Sequence, residues 1–232
     1  MPSRVLGADA YRGGWVGVLL AEDEGHDHPL VLAAPGIADL VAQAGPRLDV
    51  IGVDIPIGLP DTTRRRADTE ARRQLGPRAS SVFFTPVRAA LTCTDYAAAN
   101  AENRRRAGEG MSAQAYRLGP RILDVDAWLR GGPRPRTVEV HPELSFARMA
   151  GAPLPDSKKT WSGTVHREEL LRGHGIRLPR DIGPAGRVVP VDDVLDAAAA
   201  AWTARRAAAG EADRVPADPE VFSDGLPAAI WA

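Results

Sequence analysis

Val5-Leu6-Gly7-Ala8-Asp9 is a short apolar run closed by an acid, and Val50-Ile51-Gly52-Val53-Asp54 repeats that form further along the chain. A run of this length without polar interruption reads as a strand buried on both faces. An acid that ends such a strand stands at its C-terminal edge, where open α/β sheets place ligands. Between the two runs, residues 4–10 give a first strand, Gly13-Gly14 a turn and residues 15–22 a second strand. After a polar, turn-like stretch from Gly25 to Pro29, residues 28–34 complete an antiparallel meander. Ile37, Leu40 and Val41 have helical spacing over 37–44, and Gly45-Pro46 stops that helix before the strand at 50–55. Three antiparallel strands, a helix and a fourth strand follow one another. A right-handed crossover makes the fourth strand parallel to the first.

Downstream, residues 60–135 read as a mostly helical insertion, with helices expected at 62–75, 96–107 and 121–129. Thr137-Val138-Glu139-Val140 is a fifth strand, ended by Pro142. A helix at 165–173 and an alanine-rich closing helix at 194–209 follow. The fold class is therefore α/β: one domain over residues 1–232, with a mixed five-stranded sheet, flanking helices and the helical insertion.

A chain of 232 residues that is 44% hydrophobic can bury a proper core. Its formal charge of -1 offers no global basic field for nucleic acid, so any such partner has to be met by local cations. The single cysteine, Cys93, excludes an internal disulfide, and no stretch is apolar enough for a membrane span. A cytoplasmic location without membrane attachment is the expectation. Of 29 basic residues only Lys158 and Lys159 are lysine. Arginine count is a compositional habit here, and the lysine pair stands out against it.

Asp9, Asp54, Asp193 and Asp196 are the candidate metal ligands and catalytic acids. Asp193 and Asp196 are three apart and share one helix face. Carboxylates gathered from two strands and a helix suit hard divalent cations, Mg²⁺ or Mn²⁺, which take oxygen ligands. Each acid also has a plainer reading. Asp192 fits a helix N-cap, Asp193 a first turn favoured by the helix dipole, and Asp9 and Asp54 turn formers. Asp196 has no such excuse, because it lies a turn into the helix beside the smooth face of Ala197 to Ala201. Glu139, within a predicted strand, or Glu143, after Pro142, is a further candidate for the site. Arg72, Arg88 and Lys158 are candidates to hold a phosphate. The clusters Arg64-Arg65-Arg66 and Arg104-Arg105-Arg106 could do the same, against the plainer reading of solvated helix faces. His26-Asp27-His28 has the composition of a metal tract but reads as a hairpin tip.

Taken together, these segments resemble a known family. Gly7-Ala8-Asp9, Gly14-Trp15, Val53-Asp54-Ile55-Pro56-Ile57-Gly58-Leu59-Pro60, Arg66-Ala67-Asp68, Ser80-Ser81-Val82-Phe83, Pro86-Val87-Arg88, Glu139-Val140-His141-Pro142-Glu143, Lys158-Lys159-Thr160 and Asp192-Asp193-Val194-Leu195-Asp196-Ala197 are similar to the proteins grouped as domain of unknown function 429. That family is described as predicted RNase H-like nucleases, and the resemblance spans about residues 4–205. It implies an RNase H-like fold. The segment from Asp193 to Ala197 is also similar to the final-helix motif of RNase H-like Holliday-junction resolvases, where two aspartates three apart bind metal. The carry-over makes Asp9 the central ligand, Asp54 the fourth-strand acid and Asp193 with Asp196 the helix pair. Those resolvases commonly place glutamate on the fourth strand, so Asp54 is a departure that shortens the reach to a second metal.

The expected activity is two-metal hydrolysis of a phosphodiester, with nucleic acid or another phosphodiester as substrate and Mg²⁺ or Mn²⁺ as cofactor. Two other classes stay open. An actin-like phosphotransferase relative shares an acidic first strand and a glycine turn, although such enzymes need two domains. A non-enzymatic module could use the fold to bind nucleic acid or protein.

Overall fold

The computed structural model describes residues 3–21, 29–132 and 134–232. Among them are seven strands and eight α-helices, so the chain is mixed α/β. It divides into two compact units. One is drawn from Met1–Asp54, Pro133–Asp213 and Trp231–Ala232, the other from Ile55–Gly132 and Arg214–Ile230.

In the first unit β1 (Arg4–Tyr11), β2 (Gly14–Ala21) and β3 (Leu30–Ala34) form the antiparallel meander. Helix α1 (Ile37–Ala44) leads to β4 (Val50–Val53), which pairs parallel with β1. Later in the chain β5 (Arg136–Val140) pairs parallel with β4, giving the order β3-β2-β1-β4-β5. The tract His26-Asp27-His28 and the start expected for the third strand lie outside the described residues.

The second unit contains α2 (Arg66–Leu75), the short α3 (Arg88–Leu91), α4 (Tyr96–Ala107) and α5 (Ala113–Arg130). The expected insertion over 60–135 accounts for most of it. Helix α5 begins earlier than expected because Ser112 caps it, accepting the Ala115 N–H at 3.1 Å, and Pro120 is tolerated inside. Two strands exceed the expected five. They are β6 (Arg214–Val221), whose two prolines conceal it, and β7 (Pro227–Trp231), its neighbour.

Helix α6 (Pro142–Ala150), in the first unit, is not announced by the sequence, where Pro142 marks only the end of a strand. Proline at a helix's first position lacks only an N–H that has no intrahelical partner, so Pro142 starts α6 and also stops β5. Helix α7 (Trp161–Gly173) is capped by the Thr160 hydroxyl, which accepts the Gly163 N–H at 3.1 Å. Helix α8 (Val191–Ala209) is capped at Pro190 without a side-chain bond, so Asp192 is not the N-cap that the sequence suggested.

The core of the first unit lies between the sheet and α8. Gly7 pairs with Gly52 in the β1–β4 register, and Val5 pairs with Val50. A Cβ on Gly7 would collide with the backbone of Ala197 and Ala201, and one on Gly52 would stand 2.6 Å from the Ala200 carbonyl oxygen. The glycines let the alanine face of α8 lie directly on the strands. Residues Ala197 to Ala201 are fully buried there, with Val138 and Val140 beside them. Helix α6 joins this packing through a buried 2.8 Å hydrogen bond between Ser145 and Thr203. Among the described residues no helix is long and apolar enough to cross a membrane.

Candidate metal centre

Strand alternation places the first two acids. Side chains two residues apart share a sheet face, so Asp9 follows Gly7, and Asp54 follows Gly52, onto the face covered by α8. The Asp54 N–H donates to the Ala8 carbonyl at 2.9 Å, which carries the parallel pairing one step beyond β4. Asp9 Oδ1 accepts the Ala10 N–H at 2.7 Å. Along α8, Asp196 lies one turn before Ala200, on the stripe that touches Gly7 and Gly52. One oxygen each from Asp9, Asp54 and Asp196 lie within 4.8 Å of one another. Asp9 and Asp196 are buried and Asp54 is partly exposed.

Three carboxylates so close, two of them buried, resist ionisation. Burial, followed by the charges of Asp54, Asp196 and Asp193, raises the pKa of Asp9 well above the usual carboxylate range. Burial, then Asp196, does the same for Asp54. Asp196 is raised chiefly by burial, against the attraction of Lys158. Asp193 stands outside the trio, and burial together with Asp192 pushes it up to about 6.

The lysine pair sits at this centre. Lys158 donates to Asp196 and stands 3.7 Å from Asp192, while Lys159 donates to Asp192. Burial works to lower the pKa of Lys158, but Asp196, and behind it Asp54 and Asp9, outweigh burial and hold the ammonium charged. Asp192 is lowered because its lysine partners outweigh burial.

The other candidates are placed differently. Glu139 is buried on β5 beside Val53, so alternation sets it with Val53 rather than with Asp54. It is outside the trio, although its charge helps to raise Asp54. Arg72 and Arg88 belong to the second unit and are engaged within it. Arg72 donates to the Val82 carbonyl and lies 4.8 Å over the Phe84 ring. Arg88 makes two bonds to Asp126, at 2.7 and 2.8 Å, and one to Asp224 at 2.9 Å. In the first arginine cluster, Arg65 is buried and paired with Asp68, neither a solvated face nor a free phosphate ligand.

A buried cation that the sequence does not single out supports this centre. Arg167 is fully buried and donates to Glu143 at 2.6 Å, to the Gly163 carbonyl at 3.0 Å and to the Asp156 carbonyl at 3.3 Å. This ties α6 to the loop that carries the lysines, and the charge of Glu143 reaches Asp196. The signal was available: Gly163, Arg167 and Leu171 are four apart and form the buried stripe of α7. A cation in such a stripe requires a buried anion.

The family described as Protein of unknown function (DUF429) matches residues 7–221, nearly the whole chain. No curated protein and no solved structure matches.

Proposed function

For this chain, which belongs to the family of proteins of unknown function DUF429, we propose a divalent-metal-dependent phosphodiesterase activity, that of an RNase H-like nuclease. The observation that carries this reading is the meeting of the Asp9, Asp54 and Asp196 carboxylates within 4.8 Å on one face of the β1–β4 pair.

The donor set fits Mg²⁺ or Mn²⁺. It offers oxygen only, from carboxylates that burial and mutual repulsion keep from ionising comfortably until a cation arrives. Asp9, Asp54 and Asp196 would hold the ion. Asp193, half-buried one turn before Asp196, is available to the rim. A bound divalent ion supplies Lewis acidity and lowers the pKa of a coordinated water.

The chain's own groups do the rest. The Asp9 side chain is fixed by the Ala10 N–H, so it presents its second oxygen in a set direction. Lys158, with a third of its side chain exposed, can address both the carboxylates and a phosphate above them. In the hydrolysis a water oxygen bonds to phosphorus as the bond to the leaving oxygen breaks. One water proton ends on solvent base and the leaving oxygen takes one from solvent, so no further reactant is needed. A nucleic-acid strand or a smaller phosphodiester satisfies this chemistry equally.

Cleavage of single-stranded, duplex and branched oligonucleotides and of bis(p-nitrophenyl) phosphate, with Mn²⁺ and with EDTA, tests the reading. Wild type is expected to cleave at least one of them only with metal. Asp196→Asn should lose that activity, and its metal affinity should fall by about 100-fold or more, since even outer-shell partners of a metal contribute about 10–100-fold. If Mn²⁺ stabilises wild type and Asp196→Asn equally and neither cleaves any substrate, the proposal fails and a binding module takes its place.

A further inference from the structure

Both lysines of an otherwise arginine-only chain converge on the acids of α8, and they do so differently. Lys159 pairs with Asp192, outside the trio, whereas Lys158 pairs with Asp196, inside it. Resting on the reading above, we infer that the centre takes one divalent ion rather than two, and that the Lys158 ammonium permanently fills the second cation position of the phosphodiester displacement.

Charge balance within the trio favours one ion. Asp9, Asp54 and Asp196 contribute three negative charges when ionised. One divalent ion and one ammonium neutralise them, whereas two ions beside the ammonium leave a net charge of plus two. Uncompensated charge in a buried setting is costly. Of the acids around the trio, Asp192 is already matched by Lys159, while Asp193 and Glu139 act on Asp9 and Asp54 from outside it.

Size agrees with charge. Opposite oxygens around one Mg²⁺ or Mn²⁺ stand about 4.2 Å apart, twice an ordinary bond of about 2.1 Å. The trio, within 4.8 Å, closes on a single ion with a small side-chain adjustment. Two ions about 4 Å apart would draw on acids beyond the trio, whereas Lys158 already contacts Asp196 within it.

Residue type agrees as well. An ammonium is a compact point charge that can sit where a small cation would, and a guanidinium is a planar fork that prefers two oxygens of one partner. In a chain whose basic residues are arginine apart from Lys158 and Lys159, an ammonium stands at this position. In the displacement, one positive charge then acts through the ion and the other through the Nζ of Lys158, which can hydrogen-bond the oxygen that receives the electron pair from the breaking bond.

Mn²⁺ stoichiometry, read by titration calorimetry and by the loss of the free-Mn²⁺ electron paramagnetic signal, tests this without reference to turnover. Wild type is expected to bind one Mn²⁺ per chain, and Lys158→Met two, because a second ion enters the position it vacates. Lys159→Met should remain at one, because it leaves the trio untouched. Circular dichroism establishes that each variant is folded. The initial rate at low Mn²⁺ should pass from first order in metal to second order in Lys158→Met. Two ions on wild type, or one on both wild type and Lys158→Met, overturns the inference while leaving metal-dependent cleavage intact. The expected stoichiometries without cleavage of any substrate overturn the phosphodiesterase reading instead. No Mn²⁺ bound by wild type overturns both.

Discussion

Arg167 and Glu143 form a buried ion pair at 2.6 Å, with the arginine side chain wholly inside the protein. Through it α7 grips the first turn of α6, while the same guanidinium holds the Asp156 and Gly163 carbonyls on either side of the lysines. Removing one partner of such a pair strands the other charge in a dry setting, at a cost of about 3–5 kcal/mol. Arg167→Met is expected to lose about that much in urea denaturation, and Arg167→Met with Glu143→Gln to lose less. A single mutant within 1 kcal/mol of wild type, on the scale of an exposed pair, would show that the pair is of no structural weight.

The contact between α8 and the strands gives a second expectation. Gly7→Ala and Gly52→Ala each put a methyl group into helix backbone, which cannot rotate away as a side chain can. Overpacking of this kind costs about 1–3 kcal/mol or more. It should also spread the acids, so Mn²⁺ binding should weaken together with stability. Gly173→Ala in α7 meets nothing within 4 Å and is the control, with stability unchanged or slightly raised. Equal melting temperatures for Gly52→Ala and Gly173→Ala would contradict the packing described.

The raised pKa values fix the sign of the pH dependence. Asp193 stands at about 6 in the folded protein against 3.8 ordinarily, and Asp9 and Asp54 are raised as well. Over that interval the folded state binds more protons than the unfolded one, so stability falls as pH rises. The contribution is fully present below about pH 4 and is lost as pH passes the folded-state values. In EDTA, melts should therefore gain stability from pH 7 towards pH 5, and Asp193→Asn should flatten part of that slope. Mn²⁺ should reverse the trend, because the ion favours the ionised acids and stabilises by about 2.7 kcal/mol at a hundred times its dissociation constant. A metal-free protein that loses stability over the same descent would refute the sign.

Much of the arrangement could be read before any coordinates. The apolar runs at Val5 and Val50 became adjacent parallel strands, and the spacing of Gly7 with Asp9 and Gly52 with Asp54 carried their alternation. The alanine run after Asp196 announced a face made for close approach. What stayed hidden depends on partners distant in sequence. Pro142 can end a strand and start a helix at once, and only the helix that follows shows that it does both. Asp192 looks like a cap, but the helix already begins at Val191 and the side chain turns to Lys159. Arg88 is spelled like a phosphate ligand, and only the folded second unit places Asp126 and Asp224 around it. The strands β6 and β7 are masked by proline and by shortness.

The two lysines have a practical consequence. Both side-chain amines of this protein pair with acids of α8, Lys159 with 69% of its side chain exposed and Lys158 with 33%. Amine-coupling reagents, used routinely to attach proteins to sensor chips, resins and dyes, would therefore, wherever they react with a lysine, tether or tag the molecule through the groups that neutralise Asp192 and Asp196. A surface made in that way would report a perturbed acidic cluster, whereas attachment through Cys93, the lone thiol, would leave both lysines unmodified.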